Sequence, residues 1–140
     1  MTDARSIGIA VARFNQVVTD RLLAGATEEL ARAGTTNIEV LQVAGAWELP
    51  LAAQALLDRG CAGVIAVGAV IRGETDHYDV IVRESASGLT QVALSRGKPV
   101  GNAVLAVEDL DQALARSEPG PGNKGAEAAA AVLDLVRRLA

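Results

Sequence analysis

Aromatic side chains are almost missing from this chain, which has one Phe, one Trp and one Tyr in 140 residues. Its core must therefore be built from Ala, Val, Leu and Ile, a composition suited to the close-packed layers of an α/β protein. The single cysteine, Cys61, excludes an intramolecular disulfide and a cysteine-based metal site. The single histidine, His77, has no second histidine or thiolate to complete a soft ligand set, so a metal centre is not expected. No apolar run reaches the ~18 residues that a membrane-crossing helix needs. The opening MTDARS has no charged segment followed by a long apolar one, so no targeting segment is expected either. Basic residues are outnumbered, 13 against 17, and they are dispersed, which leaves no electrostatic footprint for nucleic acid. The expectation is a reduced, cytoplasmic protein forming one domain over residues 1–140, long enough to hide about two-thirds of its unfolded surface.

What is present is a pair of alternating periods. Residues 7–11 are a short apolar run, after which Val18, Leu22, Leu23, Ala26 and Leu30 recur at helical spacing until Gly34. A second run, 38–43, leads through Ala44-Gly45-Ala46-Trp47 into a helix that tolerates Pro50 in its first turn and stops at Gly60. Residues 64–71 are nearly all β-branched or small and apolar, the pattern of a strand buried on both faces, and a helix over about 79–95 follows. Residues 100–107 read as a fourth strand, Asp109 as the cap of a short helix reaching Arg116, and 125–139 as an alanine-rich last helix after the loop SEPGPGNKG. Four strands alternating with helices predict a parallel sheet with helices on both faces, and right-handed crossovers restrict it to a doubly wound order. Ligands of such sheets bind beyond the carboxyl ends of the strands. Phe14, Trp47, Thr75, His77 and Asn102 are all read as lying at or near such ends, and are expected to converge.

The stretch Gly68 to Asp79, GAVIRGETDHYD, concentrates the chemistry. A buried strand ends there in a glycine turn, and Gly73, Glu74 and Thr75 lead into a helix whose unpaired N–H groups and dipole favour an anion. The same positive helix end disfavours an imidazolium, so His77 is expected to be neutral near pH 7 and able to take up and return a proton. Other residues allow two readings. Phe14 is either a core residue or, between Arg13 and Asn15, a ring offered to a flat heterocycle. Trp47 is either packed beside a helix-starting carboxylate or part of a ligand contact made by Glu48. Arg116 and Lys124, flanking the Gly/Pro-rich loop, are either solvated charges or a grip on phosphate. There is no GxGxxG after a strand, no phosphate-binding GxxxxGK[ST] and no nucleophile beside a base, so dinucleotide, nucleotide-hydrolysis and triad chemistries lack their parts.

In combination, RFN after the first strand, GAWELP after the second, GAVIRGETDHYD after the third and GNKG near the end resemble the lumazine synthase family, over residues 7–139. The resemblance implies a three-layer αβα fold with a four-stranded parallel, flavodoxin-like sheet. It implies a transferase that condenses 5-amino-6-(D-ribitylamino)uracil with 3,4-dihydroxy-2-butanone 4-phosphate to 6,7-dimethyl-8-ribityllumazine in riboflavin biosynthesis, with no cofactor. Carried over by position, Phe14 stacks on the pyrimidine, and Ala46, Trp47 and Glu48 contact the ribityl chain and ring. Val70 and Ile71 line the ring pocket, Gly73, Glu74 and Thr75 hold the phosphate, and His77 relays protons. Asn102 is presented from a neighbouring subunit, Arg116 binds phosphate, and Lys124 is the lysine of the family's NKG sequence. The implied partners are the two small-molecule substrates and further copies of the chain in a homopentamer with shared sites. Closure of pentamers into a sixty-subunit shell, and delivery to a riboflavin synthase, stay open.

The chain departs from the family pattern at Leu105-Ala106-Val107, where Leu-Thr-Thr is usual, and at Ser117-Glu118-Pro119. Two carboxylates, Glu74 and Asp76, bracket Thr75, and are compatible with an anion there if they point away and only backbone faces it. Two further readings stay open at this level: a homologue with reduced catalysis that binds a flavin-like or pteridine-like ring, and a shell-forming assembly protein.

Overall fold

A computed structural model of the chain describes residues 3–140. Four strands, β1 (Asp3–Ala12), β2 (Thr35–Val43), β3 (Gly63–Ile71) and β4 (Val100–Val107), form one parallel sheet in the order β2-β1-β3-β4. Between and after them run α1 (Gln16–Arg32), α2 (Leu49–Asp58), α3 (His77–Arg96), α4 (Leu110–Arg116) and α5 (Lys124–Leu139), with one 3-10 turn at Ala46–Glu48. The strand order reverses between β1 and β3, so the crevice for a ligand opens at their carboxyl ends.

Period-two alternation in the central strands divides the core into two layers. Ile7, Ile9, Val11, Ile65, Val67 and Ala69 face α1, α4 and α5, where Leu22, Leu30, Ala113 and Leu133 cover them. Ala10, Ala12, Val64 and Ala66 face α2 and α3, meeting Leu49, Leu56 and Leu89. A fully buried Leu such as Leu22 or Leu56 stabilises the fold by about 1.5–3 kcal/mol relative to an exposed one. The aromatic scarcity is thus met by small side chains that let helices lie close to the sheet. α1 and α5 approach closely at Gly125, where a Cβ would overlap the Leu22 carbonyl oxygen.

Several boundaries differ from the sequence reading. β1 begins at Asp3 rather than residue 7, and β2 at Thr35 rather than residue 38, because the polar ends pair backbone to backbone (Ser6 opposite Asn37) without apolar side chains. Met1 and Thr2 of the leading MTDARS lie outside the described residues. α3 begins at His77, not residue 79, and α5 at Lys124, one residue earlier than expected. Asp109 caps α4 as expected, its carboxylate accepting the Gln112 N–H at 2.9 Å. Asn123 does the same for α5, accepting the Ala126 N–H at 3.0 Å. Among the described residues no helix is long and apolar enough to cross a membrane, and no group of three or more His, Cys, Asp or Glu is placed to hold a metal ion.

Candidate active site

The loop after β1 is held by three polar contacts. Arg13 donates its N–H to the Val43 carbonyl at 2.8 Å and Phe14 to that of Ala44 at 3.1 Å, extending the ladder with β2 past the last strand residues. Asn15 then turns the chain into α1 with φ at 62°, a left-handed conformation that Asn adopts more readily than most residues. Its amide Nδ2 donates to the Ala69 carbonyl at 2.8 Å, tying the turn to β3. Phe14, between these anchors, is 71% exposed. The core reading of this ring is therefore excluded.

The loop after β2 closes on itself. Glu48 returns its carboxylate to the Gly45 N–H at 2.9 Å, while the Glu48 N–H bonds the Gly45 carbonyl at 3.2 Å. Ala46 is buried, and Trp47 is 56% exposed rather than packed. The 3-10 turn packs against α3 and β3, which brings it beside the loop that follows β3.

Half-buried Val70 and Ile71 end β3, and Arg72 through His77 are exposed. A Cβ at Gly73 would meet only open space, so packing gives no reason for glycine there. The Thr75 hydroxyl accepts the His77 N–H at 3.3 Å, which seats it at the first turn of α3. Glu74 and Asp76 are exposed, and Asp76 does not cap the helix with its side chain. Arg72 is the residue that sequence reasoning passed over. Its guanidinium lies 4.2 Å from the centre of the Tyr78 ring, its Nε is 3.0 Å from Glu108 Oε1, and an Nη is 3.9 Å from Asp79 Oδ1. The hydrogen bond to Glu108 raises its already high pKa. An Arg between a strand end and a Tyr-Asp pair at the next helix start was the available signal.

A second group lies elsewhere. Asn102, Arg116 and Lys124 line one groove of about 240 Å³ along β4, an edge strand of the sheet. Asn102 is not at a carboxyl end: it pairs with Ala66 in the middle of β3, and Val107 is the β4 residue opposite Ile71. The loops after β1, β2 and β3 thus leave the same end of the parallel sheet, whereas Asn102 lies within β4, away from that end. Asn102 Oδ1 accepts the Val104 N–H at 2.9 Å, Arg116 bonds the Gln112 carbonyl of its own helix at 3.1 Å, and Lys124 pairs with Glu127 at 3.2 Å. Both cations thus rest on oxygens of their own helices. In the Leu105-Ala106-Val107 departure, Leu105 and Val107 are buried and Ala106 is exposed, while all three line the groove beside Asn102.

Asn123 organises this edge. Its Nδ2 donates to the carbonyls of Arg21, Ser117 and Glu118 at 3.3, 3.0 and 3.1 Å, joining the end of α4 to the start of α5. Arg21 adds bonds to the Leu114 and Ser117 carbonyls at 3.0 and 3.2 Å.

Residues 4–140 match the family described as 6,7-dimethyl-8-ribityllumazine synthase. Proteins of that name are similar to the chain over almost its whole length. That of Nitratidesulfovibrio vulgaris (strain DP4) is 44% identical over 96% of this chain and 90% of its own. That of Halorhodospira halophila is 45% identical over 97% and 88%, and that of Levilactobacillus brevis 49% identical over 93% and 85%.

Proposed function

The chain belongs to the 6,7-dimethyl-8-ribityllumazine synthase family, and we propose that it performs the condensation of 5-amino-6-(D-ribitylamino)uracil with 3,4-dihydroxy-2-butanone 4-phosphate at a site completed by a second copy of itself. It is a transferase of riboflavin biosynthesis. The observation that carries the site assignment is the exposed trio of Phe14, Trp47 and His77 around one end of the sheet, where an apolar ring has no structural reason to face water.

Phe14 offers its face to the pyrimidine, and Val70 and Ile71 line the edge of that pocket. Ala46, Trp47 and Glu48 receive the ribityl chain, a row of hydroxyls suited to the Glu48 carboxylate and the backbone of the 3-10 turn. Gly73, Glu74 and Thr75 take the phosphate through backbone N–H groups and the Thr75 hydroxyl, Glu74 contributing its main chain. His77 at the next position moves protons. The 5-amino group attacks the ketone, water leaves to form an imine, and inorganic phosphate is eliminated. The enol left by that elimination tautomerises to a ketone, and attack of the ribityl-bearing nitrogen on it closes the ring and releases a second water. Every bond made or broken here is accompanied by proton transfers between bound groups, so much of the acceleration comes from orientation.

Asn102, Arg116 and Lys124 complete the site of a neighbouring copy across the β4 edge, in a homopentamer. This division explains why one chain carries its anion-binding cations on a groove apart from its exposed rings. Mixing the purified protein with both substrates is expected to generate the fluorescent lumazine well above the uncatalysed rate. Turnover no faster than background would refute the enzyme assignment, and a stable monomer in native mass spectrometry would refute the shared site.

A further inference from the structure

The crossover from β3 to α3 is closed by a side chain that no part of the proposed chemistry uses. Arg72 is the first residue after β3, and Tyr78 and Asp79 lie in the first turn of α3. The Arg72 guanidinium stacks over Tyr78 at 4.2 Å and approaches Asp79 at 3.9 Å, so one side chain spans the mouth of the Gly73–Asp76 loop. Its Nε reaches across to Glu108 at 3.0 Å, on the residue that follows β4. Its backbone N–H donates to the Val107 carbonyl at 2.9 Å, continuing the β3–β4 ladder by one bond. The loop itself has little else to hold it: the bond from the His77 N–H to the Thr75 hydroxyl is long, and Gly73, Glu74, Thr75 and Asp76 are all exposed.

We infer that Arg72 is a positioning residue for the anion loop, stapling its two ends to each other through Tyr78 and to the end of β4 through Glu108. A short loop that binds an anion with backbone N–H groups loses affinity for every alternative conformation it populates. Closing its ends removes those alternatives before the ligand arrives. Arg is suited to the task and Lys is not, because only a planar guanidinium can lie flat on the Tyr78 ring while its Nε edge bonds a carboxylate. With Glu108 and Asp79 beside it, the Arg72 charge is already countered, so its contribution to phosphate binding acts through loop geometry rather than as a direct charge. Glu108 also receives an order of its own: its N–H bonds the Gln112 side chain at 2.8 Å, in the helix that carries Arg116.

This inference rests on the reading of Gly73–Thr75 as the phosphate site, and the experiment separates the two. Steady-state kinetics of the full chain are measured with the phosphate-bearing ketone varied at saturating uracil, and the reverse. Arg72→Lys and Tyr78→Ala are each expected to raise KM for the ketone about fivefold, the equivalent of roughly 1 kcal/mol, with KM for the uracil and kcat within twofold of the parent. Tyr78→Phe, which keeps the ring, is expected to behave as the parent. An Arg72→Lys variant with parental ketone KM overturns the inference, since charge alone would then suffice. So does a Tyr78→Ala variant with parental ketone KM, or a fall of kcat and Tm together with a rise of both KM values, which would make the staple merely structural. Thr75→Val serves as the control for the site: if it leaves ketone saturation untouched while Arg72→Lys impairs it, the phosphate assignment of the loop fails on its own account.

Discussion

Asn15 and Ala69 are joined by a 2.8 Å hydrogen bond from the side-chain amide of one to the carbonyl of the other, so the residue after Phe14 is fastened to the next strand of the sheet. Asn15 does this from a left-handed backbone conformation, φ 62°, the one positive φ of a non-glycine residue among the described residues. The exposed Phe14 ring therefore projects from a turn that is held on both sides, by β2 through its own N–H and by β3 through its neighbour.

Two substitutions divide these contributions. Asn15→Gly keeps access to positive φ and loses the bond, and should cost about 0.5–1.5 kcal/mol of stability. Asn15→Ala loses the bond and also strains the turn, adding about 1–2 kcal/mol. Urea denaturation should rank them parent, Gly, Ala, and equal midpoints for the two variants would remove the conformational argument. Both should raise KM for the uracil, because Phe14 is no longer held.

His77→Ala should lower kcat by about 10²-fold or more, the ordinary contribution of a positioned general acid–base group. Uracil binding, followed by fluorescence titration, should stay within about twofold, since the ring contacts come from other residues. A large loss of uracil affinity would assign His77 to binding instead of proton transfer.

Arg116→Ala should weaken the phosphate-bearing ketone selectively, by about 1.5–3 kcal/mol if a charge-assisted pair is lost, which is a rise in KM of roughly 10-fold to 150-fold. The Arg116 guanidinium is exposed and bonds a carbonyl of its own short helix, so the substitution should leave the urea midpoint nearly unchanged. Parental saturation by the ketone would take Arg116 out of the phosphate site.

Acid stability should depend on the junction of α2 and α3. Asp58, the last residue of α2, has its carboxyl pKa lowered by a hydrogen bond from Arg96, with the charges of Arg96 and Lys98 adding to the effect. A folded pKa below the unfolded value of about 3.9 means that the stabilisation is complete above that pH and is lost as pH falls through the folded value. Asp58→Asn should therefore be less stable than the parent at pH 7, and the gap should narrow as pH is lowered below the unfolded value of about 3.9. Urea midpoints measured across that range test this, and a gap independent of pH would contradict it.

Much of the architecture was legible without coordinates because each element carries its own periodic signal. The continuous apolar run of β3, the helical spacing from Val18 to Leu30 and the capping Asp109 each report a local conformation that depends on neighbours a few residues away. The polar ends of β1 and β2 were not legible, since their strand character comes from pairing with each other and not from their side chains. The start of α3 at His77 was missed for a related reason. Asp76 begins the helix without a side-chain cap, so no sequence signal marks the residue.

By itself, the sequence determined the order and type of the elements, the parallel doubly wound sheet and the family, through periodicity, handedness and four spaced motifs. Only the tertiary structure decided what the candidate residues face. It exposed Phe14 and Trp47, moved Asn102 from a strand end to the middle of an edge strand, turned Leu105 and Val107 into the core and left Ala106 outside. It also brought Arg72 onto Tyr78 and Glu108. Strand register and the packing of helices between distant segments set these relations, and neither is written in the spacing of residues along one stretch of chain.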